Sequence, residues 1–329
     1  MKEKKGNARK GRRILLVCGI IFVVLLAIDL FAGNYLVTYS IGRRTELAED
    51  VAPEPSTSEA ANQKVAEGWK TVKAEIDEWL TEAKPELVEI SSEDGLRLAA
   101  DFYPAKEDSH LYVIAIHGYT GFRTTVQGYG QMYARHGFHV LTPDLRAHGD
   151  SEGSYIGMGW LDRKDIARWI DYLVERDGEA KIFLHGVSMG GATVMMTLGE
   201  ELPSQVVAGV EDCGYTSVWD IFADEIKYLF HLPTFPFLYT GSLIAKIRAG
   251  YSFQEASSLE QVKKVQVPLM FIHGSADNFV HTSMVEPLYE ACPTEKKLYI
   301  AEGAGHGEAY HIDPERYEKE IFDFLEPYL

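Results

Sequence analysis

The sequence predicts an α/β protein. It should hold a mostly parallel eight-stranded sheet covered by helices on both faces, tethered at its N-terminus by a membrane-spanning helix. Three observations predict this. From Leu87 onward, short apolar runs alternate with helical patterns, the order that gives parallel strands joined by crossover helices. Within that series a strand pattern, Lys181 to Leu184, passes through Gly186-Val187-Ser188-Met189-Gly190 into an apolar helical run, Ala192 to Leu198. At the start of the chain, Ile14 to Ala32 forms a nearly unbroken apolar stretch behind a basic cluster.

The first 13 residues carry seven Lys or Arg against Glu3. That is a charge of +6, so a chain of net charge −17 leaves −23 on the remainder. An acidic body repels phosphates, which argues against nucleic acid as a partner. The run from Ile14 to Ala32 is nineteen residues, broken only by Gly19 and Asp29. As a helix it is about 28 Å long, close to the roughly 30 Å of a hydrocarbon core. We divide the start of the chain into a basic cytoplasmic tail (1–13), a transmembrane anchor (14–37) and a linker (38–62). Basic residues stay on the cytoplasmic side, so the expected location is the cell membrane, single-pass, with the body outside. A cleaved signal peptide is the competing reading; the run is long for one, and Leu30-Phe31-Ala32 is a poor cleavage site.

Glu46 to Asn62 is rich in Glu, Pro, Ser, Thr and Ala, too little apolar content to pack. Val65, Trp69, Val72, Ile76 and Trp79 then recur at steps of three and four, predicting an amphipathic helix over 63–84 that packs on the body. The body is the domain 63–329. Leu87–Ile90 and Leu96–Tyr103 read as a hairpin around Gly95. Leu111–Ile116, His139–Thr142, Lys181–Leu184, Val206–Val210, Val267–Ile272 and Lys297–Ile300 supply the other strands. Residues 125–136, 162–176 and 314–329 read as helices. Residues 215–262 interrupt the alternation after the sixth strand, with two or three helices broken at Pro233 and Pro236. Such an insertion is expected as a cap over the strand ends. Its aromatic residues, Phe222, Phe235 and Phe237 among them, are candidates for an apolar substrate-binding surface.

The chemistry centres on Ser188. A G-x-S-x-G turn between strand and helix needs small neighbours, because it forces the serine into a strained backbone conformation. The hydroxyl then sits at a helix N-terminus, which favours developing negative charge. A serine is a weak nucleophile until a base takes its proton, and an acid must orient that base. Asp277 follows a buried strand in His273-Gly274-Ser275-Ala276-Asp277, and His306 follows the next strand in a Gly-rich loop. The order Ser188, Asp277, His306 suits nucleophile, acid and base. Asp212, ending the sixth strand, is the second candidate acid. His281 and His311 are weaker candidate bases. His117, His148 and His185 read as structural, bonding loop backbone. Cys213 lacks an elbow around it, and no cluster has metal-ligand spacing, so neither a metal nor a cofactor is expected.

Together these motifs resemble the alpha/beta-hydrolase superfamily over residues 87–329. The resemblance rests on His117-Gly118, Asp144-x-Arg146-x-His148-Gly149-x-Ser151, Gly186-x-Ser188-Met189-Gly190-Gly191, His273-Gly-x-x-Asp277 and Gly305-His306. Among its serine hydrolases the chain is most similar to the capped monoglyceride-lipase and serine-aminopeptidase type. With the anchor, the whole resembles a Gram-positive bacterial cell-surface hydrolase. The resemblance implies the alpha/beta-hydrolase fold and an oxyanion hole from the backbone N–H groups of Tyr119 and Met189. It also implies a small-molecule ester or acyl substrate. Amides, peptide N-termini and thioesters are alternatives on the same residues, and a membrane-tethered binding protein without catalysis is the reading from another class. One departure stands out: Ala147 occupies a place where the superfamily usually has glycine.

Overall fold

The structure is a computed structural model and describes residues 2–43 and 58–329. In chain order it begins with helices α1 (Lys2–Ile41) and α2 (Glu59–Glu82). Strands β1 (Glu86–Ser91), β2 (Arg97–Tyr103) and β3 (Leu111–Ile116) follow, then α3 (Gln127–Arg135), β4 (His139–Pro143) and α4 (Asp162–Arg176). Next come β5 (Lys181–Val187), α5 (Met189–Leu198) and β6 (Val206–Asp212). The insertion contributes α6 (Val218–Phe230), α7 (Phe237–Arg248) and α8 (Ser258–Val262). The chain closes with β7 (Leu269–Gly274), α9 (Val285–Ala291), β8 (Lys296–Ala301), α10 (Ala309–Ile312) and α11 (Pro314–Leu325).

The chain divides into two compact units, one of residues 41–221 and 253–329, the other of residues 1–40 and 222–252. The larger unit holds the sheet, in the order β1-β2-β4-β3-β5-β6-β7-β8. β1 pairs antiparallel with β2 and β2 with β4; all other neighbours are parallel. The central strands are buried on both faces, so β5 and β7 each carry an unbroken apolar run, Ile182–Leu184 and Leu269–Ile272, rather than an alternating one. All eight strands predicted from the sequence are present, and α4 spans the predicted residues 162–176. Its faces follow the helical period: Ile166, Trp169, Ile170 and Leu173 are buried.

Helix α2 starts earlier than predicted, at Glu59, because Ser58 caps it by accepting from the Ala61 N–H. It buries Ala61, Val65, Gly68 and Val72, packing on α10 and α3. A side chain at Gly68 would meet the His311 carbonyl oxygen at 1.8 Å, so only glycine allows this approach. Trp69 stacks on the His311 ring at 3.5 Å and Trp79 packs on Tyr103. Burying Val72 alone contributes about 1.5–3 kcal/mol.

The smaller unit was not legible as a unit. Residues 222–252 of the insertion group with the N-terminal helix. Helix α1 runs on past residue 37 to Ile41, so the expected linker 38–62 is helical at both ends, and its residues 44–57 lie outside the described residues. The basic tail's side chains before Arg12 also lie outside them. Residues Arg12–Ile41 are long and apolar enough to cross a membrane, with none of the most apolar stretch buried. Helix α7 lies along the C-terminal part of α1. A Cβ at Gly33 would meet Thr240, Ile244 and the Gly241 backbone within 3.3 Å, a close approach that small residues permit. Thr240 donates to Asp29 at 2.6 Å, and Arg248 donates to Asn34 at 2.7 Å and Thr38 at 2.9 Å.

Candidate active site

Ser188 lies between β5 and α5 with φ 59° and ψ −119°, a left-handed backbone that a non-glycine residue rarely adopts. The neighbours explain how it is held. A Cβ at Gly186 would meet the Gly190 carbonyl oxygen at 2.2 Å, and one at Gly190 would meet the Ile116 carbonyl oxygen at 2.1 Å. The two glycines therefore let strand, turn and helix close up. The Ser188 N–H donates to the Asp212 carbonyl at 2.7 Å, which ties the turn to β6.

The structure brings Ser188, His306 and Asp277 together. His306 Nε2 is 2.8 Å from Ser188 Oγ, and its Nδ1 is 2.8 Å from Asp277 Oδ2. A carboxylate only accepts, so Nδ1 carries the proton and Nε2 is left to accept from the serine hydroxyl. Asp277 is fixed from its other oxygen, which accepts from the N–H groups of Phe279 and Val280, each at 3.0 Å. Burial alone would raise this carboxyl. The charge of His306 and the hydrogen bonds from His273 and His306 outweigh burial and hold it at about 2. It therefore stays ionised opposite the imidazole. Phe279 stands edge-on to the His306 ring at 4.9 Å.

Gly118 follows β3 beside the serine: a Cβ there would be 3.3 Å from Ser188 Cβ. Tyr119 comes next in that loop, and Met189 opens α5 directly after the serine. His117 supports the loop. Its Nε2 accepts from the Leu145 N–H at 3.0 Å, so Nδ1 donates to the Gly118 carbonyl at 2.8 Å. Burial pushes His117 down to about 4, so it remains neutral in this role.

The other candidates separate clearly. Asp212 accepts from the Tyr317 hydroxyl at 2.8 Å, while the Nδ1 of His306 faces Asp277. His311 stacks under Trp69. His148 meets the Arg146 carbonyl, as expected of a structural histidine, whereas His185 bonds the hydroxyls of Tyr133 and Tyr317 rather than loop backbone. Phe222, Phe235 and Phe237 belong to the smaller unit. The sequence names His273 within the motif ending at Asp277 but gives it no role at the site. His273 is buried, donates from Nε2 to the Val280 carbonyl at 2.8 Å, and lies 3.3 Å from Asp277 Oδ2. Its place four residues before Asp277 was the available signal. Cys213 has its sulfur within 4.8 Å of the ligand atoms of Asp277 and His306. Burial and the neighbouring Asp212 push that thiol well up, so it stays protonated. Both ring nitrogens of His306 are already engaged, so a cation there would have to break the Ser188–His306–Asp277 chain of bonds.

A mostly parallel sheet of this order, with a strained serine after β5 and an acid and a histidine after β7 and β8, is the arrangement of an alpha/beta hydrolase. The sequence matches the alpha/beta hydrolase family over residues 113–320, and the chain belongs to that family. Similar proteins include the uncharacterized YqkD of Bacillus subtilis, 28% identical over 226 residues, covering 68% of this chain and 74% of that one. The uncharacterized YfhR of Escherichia coli is 26% identical over 260 residues, covering 76% and 82%. Among solved structures, the Pyrococcus furiosus esterase Pf2001 superposes with a TM-score of 0.61 at 26% identity, over 74% of this chain and 93% of that one. A Pyrococcus horikoshii acylaminoacyl peptidase shares the fold at 18% identity and a TM-score of 0.57.

Proposed function

We propose that the protein is a membrane-anchored serine hydrolase that cleaves carboxylic esters through an acyl-enzyme. The observation that carries this is the unbroken chain of bonds from Ser188 Oγ through His306 to a buried, ionised Asp277. Ser188 Oγ attacks the ester carbonyl carbon and His306 Nε2 takes its proton. The N–H groups of Met189 and Tyr119 receive the oxyanion, each donor worth roughly 3 kcal/mol in the transition state. His306 then protonates the leaving alcohol. Water, activated by the same nitrogen, releases the carboxylic acid and restores the serine.

An ester is favoured over a peptide N-terminus. A free amine needs a carboxylate to hold it; the insertion offers Asp220, Asp224 and Glu225, and the first two are engaged. Asp220 accepts from the hydroxyls of Thr216 and Ser217 at 2.6 and 2.7 Å, and Asp224 pairs with Lys227. The span Arg12–Ile41 is read as an uncleaved anchor with the body outside the cell.

The test is a fluorophosphonate probe on the full-length protein. Wild type should be labelled at Ser188, and Ser188→Ala should be neither labelled nor active on nitrophenyl esters. His306→Ala should lose comparable activity, since such residues act as a unit. Labelling of another serine, or ester hydrolysis by Ser188→Ala at the wild-type rate, would overturn the assignment.

A further inference from the structure

The smaller unit carries an apolar surface that its own folding does not use. Helix α7 buries Leu238, Gly241, Ser242 and Ala245. On another face Tyr239, Leu243 and Ile247 follow one another at steps of four, and Phe235, in the turn before the helix, packs edge-on to Tyr239; the four, from Phe235 to Ile247, are 74%, 53%, 60% and 76% exposed. Four large apolar side chains in one stripe, left open to water, mark an interaction surface.

Its position beside α1 says what covers it. The contacts Thr240 with Asp29, Gly33 with Ile244, and Arg248 with Asn34 and Thr38 advance together along both helices. The two helices therefore run parallel. From Asp29 to Thr38 α1 rises about 14 Å, and from Tyr239 to Ile247 α7 rises about 12 Å. The stripe thus lies at the level of the anchor's outer third, beside apolar residues of α1 that are themselves uncovered, such as Leu30 and Phe31. The polar groups fit the same depth. Thr240 donates to one oxygen of Asp29 inside the unit, which lowers the cost of holding that side chain at this depth. Lys246 and Arg248 occupy the last turn of α7, at headgroup level, where anionic lipid attracts basic side chains.

We propose that α7 is a second membrane element: its Phe235–Tyr239–Leu243–Ile247 stripe inserts among the lipid acyl chains around the outer end of α1, with Phe235 deepest and Ile247 nearest the headgroups. The proposal rests on reading α1 as a membrane span. The occupant is lipid rather than a second copy of the chain, because the stripe continues the uncovered apolar surface of the span at the same depth.

The experiment uses the full-length protein in phosphatidylcholine–phosphatidylglycerol vesicles, with Cys18→Ser as background. Bimane is attached in turn at Phe235→Cys, Leu243→Cys, Ile247→Cys and, on the anchor, Leu25→Cys. Doxyl-labelled lipid reports acyl contact and aqueous iodide reports exposure. The expected result is loss of emission with doxyl lipid at all four sites, protection from iodide, and quenching by deeper-placed doxyl groups at Phe235 than at Ile247. Doxyl quenching at Leu25 with iodide quenching at Leu243 and Ile247 would overturn the α7 proposal and leave the anchor standing. Iodide quenching at every site, Leu25 included, would overturn the anchor and the α7 proposal together. Disulfide-linked dimers through unlabelled Leu243→Cys, with no doxyl quenching there, would assign the stripe to a second copy and overturn the proposal.

Discussion

Replacing Ser188 by glycine should abolish activity and leave the protein more stable than replacing it by alanine. Ser188 holds φ 59°, ψ −119°, a conformation that costs a non-glycine residue on the order of 1–3 kcal/mol. Glycine adopts it freely, but loses more chain entropy on folding, roughly 0.5–1 kcal/mol. The net gain of Ser188→Gly over Ser188→Ala is therefore up to about 2 kcal/mol. Alanine is the right reference because both variants lose the same hydroxyl. That hydroxyl makes no cap to α5, and its bond to His306 is removed in each. The difference between the two isolates the backbone. For a protein of this size each kcal/mol moves the Tm by roughly 2–4 °C. Thermal unfolding of the full-length variants, followed by circular dichroism in one detergent, reads it directly. A Tm for Ser188→Gly at or below that of Ser188→Ala would refute the claim that strain is stored at the nucleophile position.

Three further outcomes follow from the same geometry. Asp212 is pushed up to about 6 by burial; stability tied to its protonated form is full below the ordinary carboxylate range and lost as pH rises through about 6. Asp212→Asn should therefore flatten the pH dependence of Tm between about 4 and 6 and keep ester hydrolysis, whereas Asp277→Asn should lose most of it. Asp277 is the opposite case: its depressed carboxyl adds stability above the ordinary carboxylate range, lost as pH falls toward about 2. His273→Ala removes one of the groups holding it down, so the acid unfolding midpoint should move to higher pH and kcat should fall more than KM changes. Gly68→Ala should lower the Tm by the equivalent of about 1–3 kcal/mol or more, since the new methyl meets the His311 carbonyl at 1.8 Å. A Tm within a degree of wild type would mean that α2 does not pack there as described.

What was legible in the sequence is what local pattern encodes. The strands declare themselves because a doubly covered parallel sheet demands unbroken apolar runs. The serine turn declares itself because two close backbone approaches exclude every side chain at Gly186 and Gly190. Asp277 and His306 could be placed because each follows such a strand in a short loop. Ala147 was legible as a departure, and the structure gives its meaning: φ is 62°, the left-handed region in which glycine is the usual choice. What was not legible depends on partners far apart in the chain. Helix α9 is seven residues with a proline inside it, too short to show a period. The bond of His273 to Asp277 needs the turn after β7 to fold back, and the pattern shows only a histidine before a glycine. The pairing of α1 with α7 rests on Gly33 and Gly241, small residues whose signal is the absence of a side chain. Period and composition see side chains, so a contact made where side chains are missing escapes them. That is why the insertion read as part of the body. Its exposed stripe then gains physical sense from the helix beside it, since apolar side chains left open on α7 match those left open on α1.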